Sequence, residues 1–240
     1  MVSAKPTWSW NINASMNLDG LFVSLRDDKA RYLNAKKGSD FEERILAYLQ
    51  MEMGFSRILE NDIDKNDWKL IKGHIGAKLG RNFIDVPDAR LRRKVIYMPY
   101  GSQMFPDLIV FTDKKVVPIE VKFSAKKQSN PIWNSNVPRA NAFYIFGSYG
   151  MKDVTFFCGD DVLAPKHREA LYDFFKGIRA LQDKVRIDMP ELDVTNRGFT
   201  PYIRAAFDQR KHKSFVETSF FAHPQRDAVE AAAIKKAGEL

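Results

Sequence analysis

Cysteine is nearly missing from this 240-residue chain: Cys158 is the only one. That excludes an internal disulfide and any zinc cage built from several thiolates. Cys158 ends the apolar run Val154-Thr-Phe-Phe-Cys158 and reads as a core residue rather than a reactive thiol. The four histidines show no ligand spacing. The first twenty residues carry Trp8, Trp10, Asn11, Asn13 and Asp19 but no continuous apolar run. Neither a secretory leader nor a membrane span is expected there, so the sequence points to a cytoplasmic protein with no membrane partner. Internal repeats and low-complexity tracts are also lacking. Acid is locally absent: Ala89 to Pro106 holds no Asp or Glu but supplies Arg90, Arg92, Arg93 and Lys94, and Val121 to Lys152 is acid-free while supplying Lys122, Lys126, Lys127, Arg139 and Lys152.

What is present describes a folded chain. Hydrophobic residues make up 45%, aromatics 12% and charged residues 28%, a composition suited to a globule and not to a disordered segment. The length fits one domain over 1–240, with a core near 38–184 and extensions at both ends. A formal net charge of +8 favours a polyanionic partner, because cations placed near phosphates release condensed counterions. The two acid-free windows flank Asp107 and Glu120, leaving that pair of acids between positive stretches.

Periodicity places the elements. Leu21 to Leu25 and the basic stretch Lys29 to Lys37 are candidates for short elements. Ser39 and Glu42 have the spacing of a capping box, and Phe41, Ile45, Tyr48 and Leu49 recur at helical spacing before Gly54, which predicts a helix over about 40–53. A second helical stretch is expected over 56–80, with Trp68, Leu70, Ile71, Ile75 and Leu79 on its core face. Val95 to Met98, Asp107 to Phe111, Val116 to Phe123, Ala142 to Phe146 and Val154 to Cys158 read as strands of one mixed sheet. From Pro165 to Lys184, the face Leu171, Phe174, Phe175, Ile178 and Leu181 predicts a helix packed on that sheet. A last helix is expected from Pro224 to Lys236. Helices before and after strands make this an α/β protein: a mixed central β-sheet flanked by helices.

The chemistry concentrates in Pro106-Asp107 through Glu120-Val121-Lys122. With Asp113 and Lys114 as the tip of a hairpin, Thr112 faces Lys115, and stepping outward sets Asp107 opposite Glu120. Opposed side chains have Cβ atoms about 4.5–5.5 Å apart, close enough for two carboxylates to share a divalent cation. Period two puts Lys122 on the face of Glu120, with Ile119, Val121 and Phe123 turned into the core. Two like charges held together invite a hard cation, so Asp107 and Glu120 are candidate ligands for Mg²⁺, with Mn²⁺ as a substitute. Lys122 is placed to orient or help deprotonate a water, which is phosphodiester hydrolysis chemistry. Alone, Glu120 and Lys122 also look like the solvent face of an amphipathic strand, with Asp107 in a turn. The opposed register, the acid-free windows and the basic charge favour the catalytic reading. Pro118 interrupts the second strand and marks an edge or a bulge there. Asp113-Lys-Lys115, Asp67-Trp-Lys69 and Pro87-Asp88 share parts of the motif, but Asp113 sits at a turn tip and Asp67 in a helix.

The string Pro106-Asp107, then Glu120-Val-Lys122, resembles the signature of the PD-(D/E)XK nucleases. The resemblance extends to a glutamate on the helix that opens the core, matched by Glu42 with Glu43 as a competitor, and to the order strand, strand, strand, helix over roughly 38–184. It implies a restriction-endonuclease-like core, with Asp107 and Glu120 as metal ligands, Lys122 as the water-orienting residue and Glu42 as an auxiliary acid. Within that superfamily the chain is most similar to type II restriction endonucleases. This implies a Mg²⁺-dependent homodimer cutting double-stranded DNA at a short site, with a companion methyltransferase acting on the same site.

After the catalytic strand, Lys126 and Lys127 can hold phosphates, and Gln128, Asn130, Asn134, Asn136 and Arg139 can hydrogen-bond base edges. Trp133 can wedge or pack. Ser102 and Gln103 precede Asp107 and can touch the backbone near a cut, and Arg210, Lys211, His212 and Lys213 form a further basic run. Any one of these residues fits an ordinary polar surface as well. A two-fold target suggests a dimer, for which the face around Val229 and Ile234 is a candidate contact. Two rivals remain: a structure-selective or repair nuclease such as a junction resolvase, and a non-catalytic DNA-binding module.

Overall fold

The structure, a computed structural model, describes residues 17–35, 37–102, 104–134, 136–192, 195, 197–209 and 214–240, with Phe215 described by its backbone alone. Its elements are α1 (Asp19–Asp27), α2 (Lys29–Leu33), α3 (Gly38–Met51), β1 (Ser56–Arg57), α4 (Lys65–Gly76), β2 (Lys94–Tyr97), β3 (Leu108–Phe111), β4 (Val116–Ser124), β5 (Phe143–Ser148), β6 (Asp153–Cys158), α5 (Gly159–Val162), α6 (Pro165–Leu192), α7 (Phe215–Thr218) and α8 (Arg226–Glu239). The strands form one six-stranded sheet in sequence order, antiparallel except for β1 with β2 and β4 with β5. The chain is therefore a mixed α/β protein with a six-stranded mixed sheet flanked by helices. No helix among the described residues is long and apolar enough to cross a membrane.

The expected hairpin register holds through its proline. Leu108 pairs with Ile119, Ile109 with Pro118 and Phe111 with Val116, and Thr112 donates its N–H to Lys115 O at 2.9 Å across the turn. Hydrogen-bonded pairs alternate along an antiparallel ladder, so counting from Thr112 and Lys115 makes Ile109 with Pro118 a non-bonded pair. The missing donor of Pro118 thus faces away from β3, and the pairing of β4 with β5 begins one residue later, at Ile119 and Phe143. No bulge forms at Pro118, and the strand is a local edge there on the side toward β5, so the proline occupies a rung that asks for no N–H.

Alternation along the strands gives the sheet two buried faces. On one, Val117, Ile119, Val121, Phe143, Ile145 and Phe156 pack with Phe22, Phe41 and Ile45 of α1 and α3 and with Ala233 and Ala237 of α8. Gly147 sets the approach of α3: a Cβ there would lie 2.6 Å from Phe41 Cζ, so only glycine lets that ring rest on the sheet. The other face carries Ile109, Phe111, Val116, Tyr144 and Phe157, covered by Ile71 and Ile75 of α4 together with Phe105 and Trp133 from loops.

Several expectations change. The helix predicted over 56–80 is shorter: Ser56–Arg57 joins the sheet as β1, and Asp64 starts α4 by accepting from the backbone of Asn66 and Asp67. Of its expected core face, Ile71 and Ile75 are buried, whereas Leu70 and Leu79 are exposed. The long helix α6 runs to Leu192 but does not lay its predicted stripe on the sheet. Phe174 and Leu181 are 62% and 63% exposed. Its anchors are the buried Arg168, which donates to Pro138 O, Gly159 O and Leu163 O, and the rings of Tyr172 and Phe175 against Phe207. The face of α8 offered for dimerisation is used internally, since Ile234 and Val229 pack on the two cores. Cys158 is buried as expected, with burial pushing its thiol up.

Candidate active site

Asp107 stands one residue before β3, on the second face of the sheet and across from Glu120. Val121 turns its N–H toward β3 where that strand has ended, and Asp107 Oδ2 accepts it at 2.7 Å. Met98 donates to Asp107 O at 2.7 Å, so both ends of the residue are fixed. Glu120 lies in the middle of β4, between β3 and β5, opposite Tyr144. Its carboxylate is buried, at 7% exposure, and not on the exposed edge its sequence context suggested, because Tyr144, Phe105 and Trp133 extend the second core up to it.

The two oxygens of Glu120 differ. Oε1 accepts from Lys122 Nζ at 2.6 Å, while Oε2 is buried with no hydrogen-bond partner. An unsatisfied buried acceptor of this kind costs about 1–3 kcal/mol, and more when charged. Beside it, the carboxyl of Asp107 is held well above the usual carboxylate range, first by burial and then by the charge of Glu120, with Glu42 adding to the effect. Its hydrogen bond from Val121 and the charge of Lys122 oppose that rise without cancelling it.

Glu42 completes the group from α3. The capping box does not form: α3 begins at Gly38 with no side-chain cap, and Glu42 Oε2 instead accepts from Tyr97 Oη at 3.0 Å. Burial raises the Glu42 carboxyl, the Tyr97 bond lowers it, and the charge of Glu120 raises it again. Glu43 is exposed, so Glu42 is the glutamate that α3 brings to the site.

Asp107, Glu120, Lys122 and Glu42 share one cavity of about 180 Å³, with Ser102, Met104, Asn134, Asn136 and Arg204 at its walls. That volume far exceeds the ~10–15 Å³ that one water needs. Among the described residues no three His, Cys, Asp or Glu side chains converge as a ready-made metal cage. Two opposed carboxylates, one with a vacant buried oxygen, nevertheless suit Mg²⁺, which is usually held by one or two carboxylates with waters and substrate phosphates completing its shell. Carboxylates also gather in a cavity of about 120 Å³ beside α4, where Asp62, Asp64, Asp67 and Asp88 meet Arg90 and Lys94, but Asp62, Asp64 and Asp88 there already accept from backbone N–H groups. A cavity of about 730 Å³ between the end of α4 and α6 is mainly apolar-walled, with Lys78, Arg179 and Asp183 among its lining residues.

The DNA-contact candidates divide. Ser102 and Asn134 are exposed at the cavity, and Lys126 and Lys127 are exposed on the turn beyond β4. Gln128 and Asn130 are half-buried, the former accepting from Ser124 Oγ. Two candidates are corrected outright. Trp133 is buried against Tyr144 and Phe220 and is no wedge. Arg139 is buried over the ring of Phe105 at 4.0 Å, donating to Ile75 O and to Asn136 Oδ1, so its guanidinium is spent inside the fold, while Asn136 still lines the cavity. Gln103, Arg210, Lys211, His212 and Lys213 lie outside the described residues.

Sequence reasoning missed Tyr97 and Arg204. Tyr97 was recoverable, since β2 ends opposite Leu108 and so delivers its last residue beside Asp107. Arg204 carried no local signal. The segment holding it reaches the site through a single bridge, Phe207 with Trp133, in which Phe207 N donates to Trp133 O at 2.9 Å. Comparison with protein-family models, with curated proteins and with solved structures gave no significant match.

Proposed function

We propose that this chain is a Mg²⁺-dependent nuclease that hydrolyses phosphodiester bonds in DNA, with Asp107 and Glu120 as metal ligands and Lys122 as the residue that orients the attacking water. The observation that carries this reading is the unpartnered Oε2 of Glu120, buried in one cavity with the carboxyl of Asp107. A bound divalent cation relieves both the vacancy and the repulsion. Magnesium there would supply charge neutralisation at the scissile phosphate and a lowered pKa for a bound water. The chain's own groups do the rest. Lys122 brings an ammonium into the cavity, where it donates to a water and offsets charge developing on the phosphate. Glu42, steadied by Tyr97, adds a third acid at the rim. Phe105, Trp133 and Tyr144 wall the site with apolar surface, which strengthens these interactions by excluding water.

The resemblance to PD-(D/E)XK nucleases supports the same chemistry, and a restriction-endonuclease-like core with duplex cutting by a homodimer is its finer form. A structure-selective nuclease is the second reading. It is favoured by the burial of Arg139 and Trp133, which removes one side chain expected to read bases and one offered as a wedge. Purified protein incubated with Mg²⁺ and plasmid DNA tests these readings. Discrete fragments with uniform ends support restriction, cutting confined to branched, mismatched or single-stranded DNA supports the second reading, and no cutting of any DNA contradicts both.

A further inference from the structure

The segment from Arg197 to Phe207 leads into the acidic cavity and is built unlike the rest of the surface. It contains no Asp or Glu, it carries Arg197 and Arg204, and Pro201 stiffens its middle. Phe199 and Tyr202 are 73% and 79% exposed, with Ile203 also turned outward. Isolated exposed apolar residues need no explanation. Here two arginines bracket two exposed aromatics along one short stretch. The backbone beneath them is pinned: Gln182 Nε2 donates to Pro201 O at 2.7 Å, Ala205 is buried, and Phe207 bridges to Trp133 and packs on Tyr172 and Phe175. The segment is thus anchored on either side of Arg204 while its aromatics face out.

We propose that this strap is a platform for an unpaired nucleic-acid strand, in which Arg204 holds a phosphate at the mouth of the Asp107–Glu120 cavity and Tyr202 and Phe199 stack on successive bases. Aromatic faces beside cations are what single strands require, since every unpaired base offers a π face and every link a phosphate. Bases inside a duplex offer no such face. Two residues of chain span at most about 7 Å, so a base on Tyr202 belongs to a nucleotide close to the phosphate on Arg204. The proposal rests on the nuclease reading and narrows it: the substrate carries an unpaired stretch beside the cut. A protein partner covering the same aromatics is the competing occupant. Charge favours the nucleic acid, because the strap has no acid and continues into a cavity whose bound cation would itself attract phosphate.

The test is binding, measured by fluorescence anisotropy in EDTA across a series of salt concentrations. The full chain is titrated with a labelled single-stranded oligonucleotide and with the corresponding blunt duplex. Wild type should bind the single strand. F199A/Y202A should weaken it by about tenfold or more while leaving the duplex little changed, and Tyr202→Phe should retain it. Arg204→Ala should lower the slope of log affinity against log salt by about 0.7, the value for one phosphate contact on a single strand. Variants that bind the single strand as wild type does overturn the platform, as does equal loss on both probes. A change of sedimentation in F199A/Y202A with unchanged strand binding also overturns it, assigning the patch to a protein contact. Cleavage in Mg²⁺ is scored separately. Wild type that cuts DNA while the strap variants bind normally refutes the platform alone, and wild type that never cuts while the variants lose the single strand refutes the nuclease reading alone.

Discussion

Val121 donates its backbone N–H to Asp107 Oδ2 at 2.7 Å, so the carboxylate stands where the next carbonyl of β3 would stand had the strand continued. A sheet hydrogen bond therefore aims the acid. The position of Asp107 is set by the register of the hairpin and not by a flexible loop, which is why the same rung brings Glu120 to face it.

That arrangement has a pH signature in the metal-free protein. Asp107 keeps its proton above the usual carboxylate range in the fold, whereas the unfolded chain releases it near the ordinary value of 3.8. An acid raised in this way removes stability as pH rises through that window, because the unfolded state binds fewer protons there. Asp107→Asn, which can still accept from Val121 through Oδ1, should raise the melting temperature of the metal-free protein near neutral pH. It should also abolish the further rise that Mg²⁺ gives wild type. Thermal melts with and without Mg²⁺ check both; an asparagine variant as unstable as a core mutant contradicts the repulsion.

Proton release should accompany metal binding. Since Asp107 must give up a proton to act as a ligand, Mg²⁺ affinity should climb with pH, and calorimetric heats should depend on the ionisation enthalpy of the buffer. Heats independent of the buffer would show that no protonated carboxyl lies in the binding site.

Lys122→Ala should retain DNA binding while cutting falls by about 100-fold or more, the usual contribution of a group that assists proton transfer or water orientation. The variant also strips Glu120 Oε1 of the ammonium from which it accepts, so its Mg²⁺ affinity should change as well. Equal rates for variant and wild type would place the chemistry elsewhere.

Tyr97→Phe isolates one hydroxyl. It removes the bond that lowers the Glu42 carboxyl, so any limb of the pH-rate profile due to Glu42 should move to higher pH, while the phenyl ring preserves the fold. An unmoved profile would mean that Glu42 does not titrate in the rate-determining range.

Arg139→Ala should cost stability, not DNA selectivity. Its two hydrogen bonds are charge-assisted, at about 1.5–3 kcal/mol each, and Phe105 loses the guanidinium stacked over it. A fall of about 3 kcal/mol in urea denaturation is expected, with the preferred cut positions of any surviving activity unchanged.

Much of this was legible in the residues, for identifiable reasons. The hairpin register follows from a polar two-residue tip between apolar runs, and Pro118 left it intact because the proline met a rung that needs no donor. Glu42 could not be separated from a capping role by spacing alone; the fold decides it by placing Tyr97 within reach. Arg139 and Trp133 depart from the expectation that a polar loop faces solvent. Among the described residues the crossover from β4 to β5 carries no helix, so the loop itself must fill the second core, and its tryptophan and arginine do so. The stripe of α6 has the period of a buried face, but period does not name the partner, and the anchor proved to be Arg168 at the first turn. Arg204 is distant in sequence from every other cavity residue, and only tertiary structure brings it near.

The central claim is tested most directly by following supercoiled plasmid over time with wild-type protein and with Glu120→Gln, each in Mg²⁺ and in EDTA. A metal-dependent nuclease built on Glu120 converts the plasmid to nicked and linear forms only as wild type with Mg²⁺. Cutting that persists in Glu120→Gln or in EDTA, or wild type that leaves every DNA substrate intact, contradicts it.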